Sequence, residues 1–174
     1  MAKKVIRFDL SEAGIDKAIK ELEQYKREIP RKAYIFRKRI ADLTKKYAQT
    51  GFNNAIVDDY LDGYYKVANV DVTVNPVSDN VTLVVANGED AIWAEFGSGV
   101  FHNGAVGTSP HPKGEELGFR IGTYGKGKGK QKTWGFADDD GLHLTHGSPA
   151  SMPLYNALQM VTMDIYHIAK EVFG

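Results

Sequence analysis

Between Ser11 and Tyr47 the apolar residues fall at Ile15, Ile19, Leu22, Ile29, Ala33, Phe36, Ile40, Leu43 and Tyr47, in steps of four, three, seven, four, three, four, three and four. Lys26 takes the seam position inside the step of seven. This heptad-like spacing lays one stripe along a helix, so residues 10–50 predict a long amphipathic helical region. Ser11 stands where its hydroxyl can accept a free N–H of the first turn, and Gly51 stands where a helix would end. Pro30 removes one backbone N–H and crowds the turn before it, which predicts a kink or two helices joined near Glu28–Pro30.

Further along, the period changes to two. Val70, Val72 and Val74 alternate with Asp71 and Thr73, and Val81, Leu83 and Val85 alternate with Thr82 and Val84. The turn formers of residues 75–80 separate them, so an antiparallel hairpin with one face on the core is expected. Asp90 to Phe96 reads as a short helix ended by Gly97. Residues 98–132 are rich in Gly, Pro, Thr and Lys with few apolar anchors, a long loop for a compact domain. Thr133 to Phe136 and Leu142 to His146, around the turn at Asp138–Gly141, have the shape of a second hairpin.

A helical period returns at the end. Leu154, Leu158, Val161, Ile165, Ile168 and Val172 step by four, three, four, three and four. Ser151 is the candidate N-cap, and Pro153 suits the first turn, where its missing N–H costs nothing. Helices over 10–50 and 151–173 therefore bracket a mostly antiparallel sheet over 69–147, an α+β arrangement in a single domain spanning 1–174.

Composition narrows the function classes. With 174 residues, 43% hydrophobic and 25% charged, the chain is ordinary for a globular domain. It has no cysteine, which removes disulfides and thiolate zinc sites. No apolar run is long enough to span a bilayer, so no membrane role is expected, and the charged start of the chain has no apolar stretch of a secretory signal after it. The net charge is zero but unevenly spread. Residues 1–47 carry 14 Lys/Arg against 7 Asp/Glu, a net of +7, and residues 48–174 carry 8 against 15, a net of −7. The basic helices either dock on the acidic remainder of the same chain or meet a neighbouring subunit or DNA.

The candidate chemistry is sparse. Gly122 to Gly129 follows the phosphate-loop spacing until its last position, where Gly129 replaces the Ser or Thr that holds magnesium. The stretch reads better as a glycine–lysine segment whose Lys126, Lys128, Lys130 and Lys132 share a face when extended, suited to phosphates or acidic neighbours. His102 and His111 lie in the loop with Glu95, Glu115 and Glu116 nearby in sequence, but without a metal-ligand spacing. His143 and His146, three apart on a strand, would face opposite sides, and His167 reads as a packing or surface residue of the last helix. Ser98 and Ser148 are flanked by glycine, but neither forms a nucleophile elbow. Asp138 to Gly141 lacks the alternating ligands of a calcium loop. Trp93, Phe96, Trp134 and Phe136 read as core or interface aromatics.

The order of features carries a resemblance. A basic helical region precedes a valine-rich hairpin, then Ile92-Trp93-Ala94-Glu95-Phe96-Gly97-Ser98-Gly99. A glycine-rich loop with His111-Pro112 follows, then Trp134-Gly135-Phe136, His146-Gly147 and Pro149-Ala150-Ser151-Met152-Pro153-Leu154-Tyr155-Asn156-Ala157. Over roughly residues 10–172 this resembles the head–tail connector and tail-completion (neck) proteins of long-tailed bacteriophages and prophages. There a Glu-Phe/Tyr-Gly motif precedes a variable loop, and a Pro-Leu/Phe motif opens the last helix. The long loop here departs from that pattern and leaves the transfer of interface positions open.

The resemblance implies a structural virion protein that joins head and tail or completes the upper end of the tail tube. It implies a ring of copies of itself, often six-fold and in some cases formed only on assembly, in contact with neighbouring connector and tail proteins. It implies no enzyme activity, no catalytic residue, no cofactor and no metal, with Glu95, Phe96, Gly97, Pro153, Asn156 and Ala157 as structural motif residues. The expected location is the virion at the head–tail junction or upper tail, and the bacterial cytoplasm during assembly. The loop of residues 98–132, with its four lysines, is the candidate assembly arm, with non-specific DNA contact open to it. The competing readings are a nucleic-acid-binding module built on the basic helices and the lysine segment, and a small hydrolase or metal enzyme using the loop histidines.

Overall fold

The computed structural model describes residues 5–59, 63, 65–98, 109–114, 116, 117, 119, 133–145 and 147–174. The glycine–lysine stretch of residues 122–132, His102, Glu115 and His146 lie outside them.

Helix α1 runs over Glu12–Asn53, 42 residues without interruption. The Ser11 hydroxyl accepts the Gly14 N–H at 3.1 Å, as its N-cap position predicts. The Asp9 carboxylate accepts from the Ser11 hydroxyl and from its N–H, and these two bonds hold it below the usual carboxylate range. Of the kink or break expected at Pro30, the break is absent: Pro30 sits inside one continuous helix. Gly51 does not end the helix, because Asn54 is the C-cap. Gly51 has another use: a Cβ there would lie 2.9 Å from Pro153 Cβ.

That contact marks one end of the antiparallel pair between α1 and α3, which spans Pro153–Phe173. The other end is marked by Phe36 edge-on to Phe173, centroids 5.7 Å apart, and by Arg39 Nη1 at 2.7 Å from Glu171 Oε2. Only the C-terminal part of α1 is therefore covered by α3. At 1.5 Å rise per residue the stretch from Phe36 back to Glu12 reaches about 36 Å past the end of α3.

The strands form three two-stranded antiparallel ladders among the described residues. Ladder β1 (Ile56–Asp59) and β2 (Tyr65–Val67) was not expected from the sequence. Strands β3 (Asp71–Pro76) and β4 (Thr82–Asn87) are the valine hairpin. Strands β5 (Trp134–Asp138) and β6 (Gly141–Thr145) are the second hairpin. With the helices, this is the α+β class that the patterning predicts. The face of β4 is the reverse of the one read from Val81, Leu83 and Val85. Register pairs Val72 with Ala86 and Val74 with Val84, and that side packs on the core, while Val81 and Leu83 are exposed.

The core gathers Ala48, Phe52, Ala55, Val57, Ala68, Val70, Val72, Ala94 and Ala157, with Tyr47, Trp93 and Leu154 packed against it. Its many alanines let helices and strands approach closely. Gln49 fastens α1 to the start of β3: its amide donates to Val70 O and its carbonyl accepts the Val72 N–H, both at 2.8 Å. These bonds satisfy backbone groups at a ladder edge that burial would otherwise leave unpaired.

Candidate functional site

Helix α2 (Ala91–Phe96) is one and a half turns long and carries the first sequence motif. It ends because Gly97 adopts φ +76°, a conformation open to glycine, and a Cβ there would lie 2.9 Å from Ser148 O. The chain segment before α3 runs across this end. Ser98 N–H donates to Ser148 O at 3.1 Å, and Ser148 N–H donates to Ser98 Oγ at 2.8 Å. Ser151 and Met152 N–H both donate to Ala94 O, at 2.9 and 3.2 Å. The two glycine-flanked serines thus meet each other, and the buried Ser148 hydroxyl donates to Val57 O.

Helix α3 begins without the cap expected of Ser151. Its N-cap is Met152, held at φ 52° and ψ 50°, with no side-chain cap of its own. The missing acceptor comes from Glu95, 59 positions earlier. Glu95 Oε2 accepts the Leu154 N–H at 2.8 Å, and Oε1 accepts the Tyr155 N–H at 2.9 Å. The carboxylate is only 5% exposed. Two charge-assisted bonds and the positive end of the helix dipole offset the cost of burying it. Asn156 completes the turn: its N–H donates to Met152 O at 2.9 Å and its Nδ2 to Ser151 O at 3.0 Å.

A third segment closes over this junction. His111 Nε2 lies 3.3 Å from Glu95 Oε1, and its side chain is buried. Its Nδ1 accepts the Lys113 N–H at 3.0 Å, so the neutral ring carries its proton on Nε2, facing Glu95. Phe96 packs against His111 with centroids 4.4 Å apart and stacks on Phe119 at 4.6 Å and 13°. Trp93 meets Phe119 edge-on at 6.3 Å, and Tyr155 meets His111 at 5.3 Å. Further stays hold the segment: Gly114 N–H to His111 O and Phe119 N–H to Gly114 O, both 2.8 Å.

The structure therefore brings together all six motif residues. Glu95 caps α3, Phe96 carries the aromatic packing, Gly97 makes the turn, Pro153 opens α3 against Gly51, Asn156 ties the turn, and Ala157 is buried in the core. Lys126, Lys128, Lys130 and Lys132 lie outside the described residues. Sequence reasoning weighed His102 and His111 with Glu95, Glu115 and Glu116 as a metal site and missed the part His111 takes in this junction. It also passed over Phe119, one of three aromatic residues, with Phe101 and Tyr124, in the glycine-rich stretch of residues 98–132.

Chemically the arrangement is closed. Both Glu95 oxygens are engaged by backbone N–H groups, and both His111 nitrogens have partners. A general base needs a nitrogen or oxygen within reach of a substrate proton. Among the described residues no group of three or more His, Asp or Glu side chains is placed to hold a metal ion, and no helix is long and apolar enough to cross a membrane. No family model, no curated protein and no solved structure matches this chain.

Proposed function

We propose that this protein is a structural subunit of a long-tailed phage or prophage virion, acting where head and tail join or where the tail tube is completed. The observation that supports it most is the meeting of the two motifs of the resemblance. Glu95-Phe96-Gly97 and the segment Ser151–Ala157 lock onto each other, and the one buried carboxylate among them serves as a helix cap. Residues with that role hold a scaffold and leave no group free for a substrate. On this reading the chain is a non-enzymatic ring subunit that needs no cofactor and meets its own copies and the neighbouring connector and tail proteins.

The test is location. Immunogold labelling and mass spectrometry of intact particles, separated heads and separated tails should find the protein at the head–tail junction or upper tail. Its absence from every particle fraction overturns the reading. The excess of basic residues over 1–47 favours a second reading, a nucleic-acid-binding module. Strong retention on DNA that falls steeply with salt, by protein found in no particle, selects that one.

A further inference from the structure

The β3–β4 hairpin is guarded along one edge and open along the other. On β3, Gln49 takes the Val72 N–H and donates to Val70 O, so these groups point away from β4. Bonded and non-bonded pairs alternate in an antiparallel ladder. Val72 with Ala86, Val74 with Val84 and Pro76 with Thr82 are therefore the pairs without mutual hydrogen bonds. Gln49 closes one end of the β3 edge, and Pro76 has no N–H to offer at the other. On β4 the same alternation turns the N–H and C=O groups of Thr82, Val84 and Ala86 outward. They have no hydrogen-bond partner among the described residues. Thr82–Asn87 carries neither a charge nor a proline. Such an edge is a template for a further strand. Beside it Val84 and Ala86 pack on the core yet stay half-buried, which leaves apolar surface for that strand to cover.

A segment with strand patterning and no ladder precedes α1. Val5 to Leu10 belongs to no helix and no ladder, and its backbone groups bond no other backbone group among the described residues. Ile6, Phe8 and Leu10 alternate with Arg7 and Asp9, the period of a strand with one apolar face. Phe8 and Leu10 are 56% and 88% exposed. The cap of α1 uses the Asp9 side chain and leaves the backbone of the segment free.

The segment and the edge cannot meet within one chain. Gln49 at the base of the hairpin and Arg37, which donates to Asp79 O at its turn, lay the hairpin alongside the second half of α1. From Ser11 to Arg37 the uninterrupted helix rises about 39 Å, whereas six extended residues span about 20 Å.

We propose that Val5–Leu10 of one copy adds as a third strand to the β4 edge of another copy. Main-chain bonds to Thr82, Val84 and Ala86 supply the attachment, and Ile6, Phe8 and Leu10 cover the apolar surface beside it. Strand β4 has six residues, the length of the donor, whereas β1 and β2 have four and three, and no described residue of β5 or β6 belongs to the core cluster. The proposal needs of the proposed function only that copies of this chain lie side by side.

The absence of native cysteine makes the contact directly testable. R7C and L83C, placed on the sides of donor and acceptor that face away from the core, are made separately, mixed while dilute, concentrated and joined with a short bis-maleimide. M163C, 72% exposed on α3, replaces L83C as the background. The R7C–L83C product should dominate over the R7C homodimer and over R7C–M163C. Adding V5P/F8P to R7C should abolish it, because the two prolines remove an N–H from each side of the strand. The melt of the dilute protein should stay in place, since both residues lie outside the core. In the parent chain, amide exchange at Val84 and Ala86 should slow as the protein is concentrated, and in V5P/F8P it should not.

An R7C homodimer as the main product overturns the proposal in favour of pairing between two donor segments. It is overturned outright by no R7C–L83C product above background at the highest soluble concentration, by a product that survives V5P/F8P, or by exchange at Val84 and Ala86 indifferent to concentration. The virion reading fails separately. Cross-linking by a protein absent from particles keeps the contact and removes the location, and a particle-borne protein without cross-links does the reverse.

Discussion

Replacing Glu95 by glutamine keeps the side-chain volume and turns one acceptor oxygen into an NH2 donor. That donor faces the N–H of Leu154 or of Tyr155, so one buried bond is lost and two donors oppose each other. Loss of charge-assisted bonds of this kind costs about 2 kcal/mol. For a chain of this size each kcal/mol is worth about 2–4 °C, so E95Q should melt about 4–8 °C lower. An unchanged melt removes Glu95 from the role of cap. At Gly51 two effects oppose. Alanine in a helix gains about 1 kcal/mol over glycine, but here its Cβ would sit 2.9 Å from Pro153 Cβ and 3.1 Å from Pro153 Cα. Both contacts are with a rigid ring at a helix start. Overpacking of this sort costs about 1–3 kcal/mol, so G51A should lower the melting temperature where a free helical glycine would raise it. A rise would mean that α1 and α3 are less tightly apposed.

At the scale of elements, α1 has two regimes. Residues from Phe36 onward pack on α3 and the core, whereas the arm before it, residues 12–34, is mostly exposed, with Ala18 alone buried. Most helical stability in proteins comes from tertiary packing rather than from propensity, and Pro30 adds a cost of about 3 kcal/mol. Amide exchange in the free subunit should therefore be fast over residues 12–34 and slow over 40–52, and P30A should slow it in the arm. Uniform protection along α1 contradicts this division. The same contrast explains what was legible beforehand. Both long helices show in their apolar steps, because helical periodicity is written locally. Strands β1 and β2 are four and three residues long, with Asp58 and Asp59 in the first, so no alternation announces them. Strand β4 carries apolar residues on both parities, and only its register with β3 chooses Val84 and Ala86 as the inner pair. At the junction, both motif segments could be read, but their contact could not. Ser151 offers the nearest hydroxyl to the start of α3, and a local reading selects it. The actual acceptor, Glu95, reaches the same N–H groups from another element once the core has formed.

For the whole molecule the decisive question is whether folding and assembly use separate parts of the chain. The segment Gly122–Lys132 lies in sequence between Phe119, in the aromatic cluster, and β5. Exchanging its four lysines for serine keeps the length of the chain and alters no residue of the core or of the Glu95 junction. K126S/K128S/K130S/K132S should therefore melt close to the parent. The exchange takes residues 48–174 from a net of −7 to −11. Where the lysines meet an acidic or phosphate-bearing partner, that contact weakens with each charge removed. An intact melt with a loss of infectious particles assigns the lysines to assembly. A lowered melt assigns them to the fold of the subunit itself, and a normal melt with a normal particle yield removes them from assembly altogether.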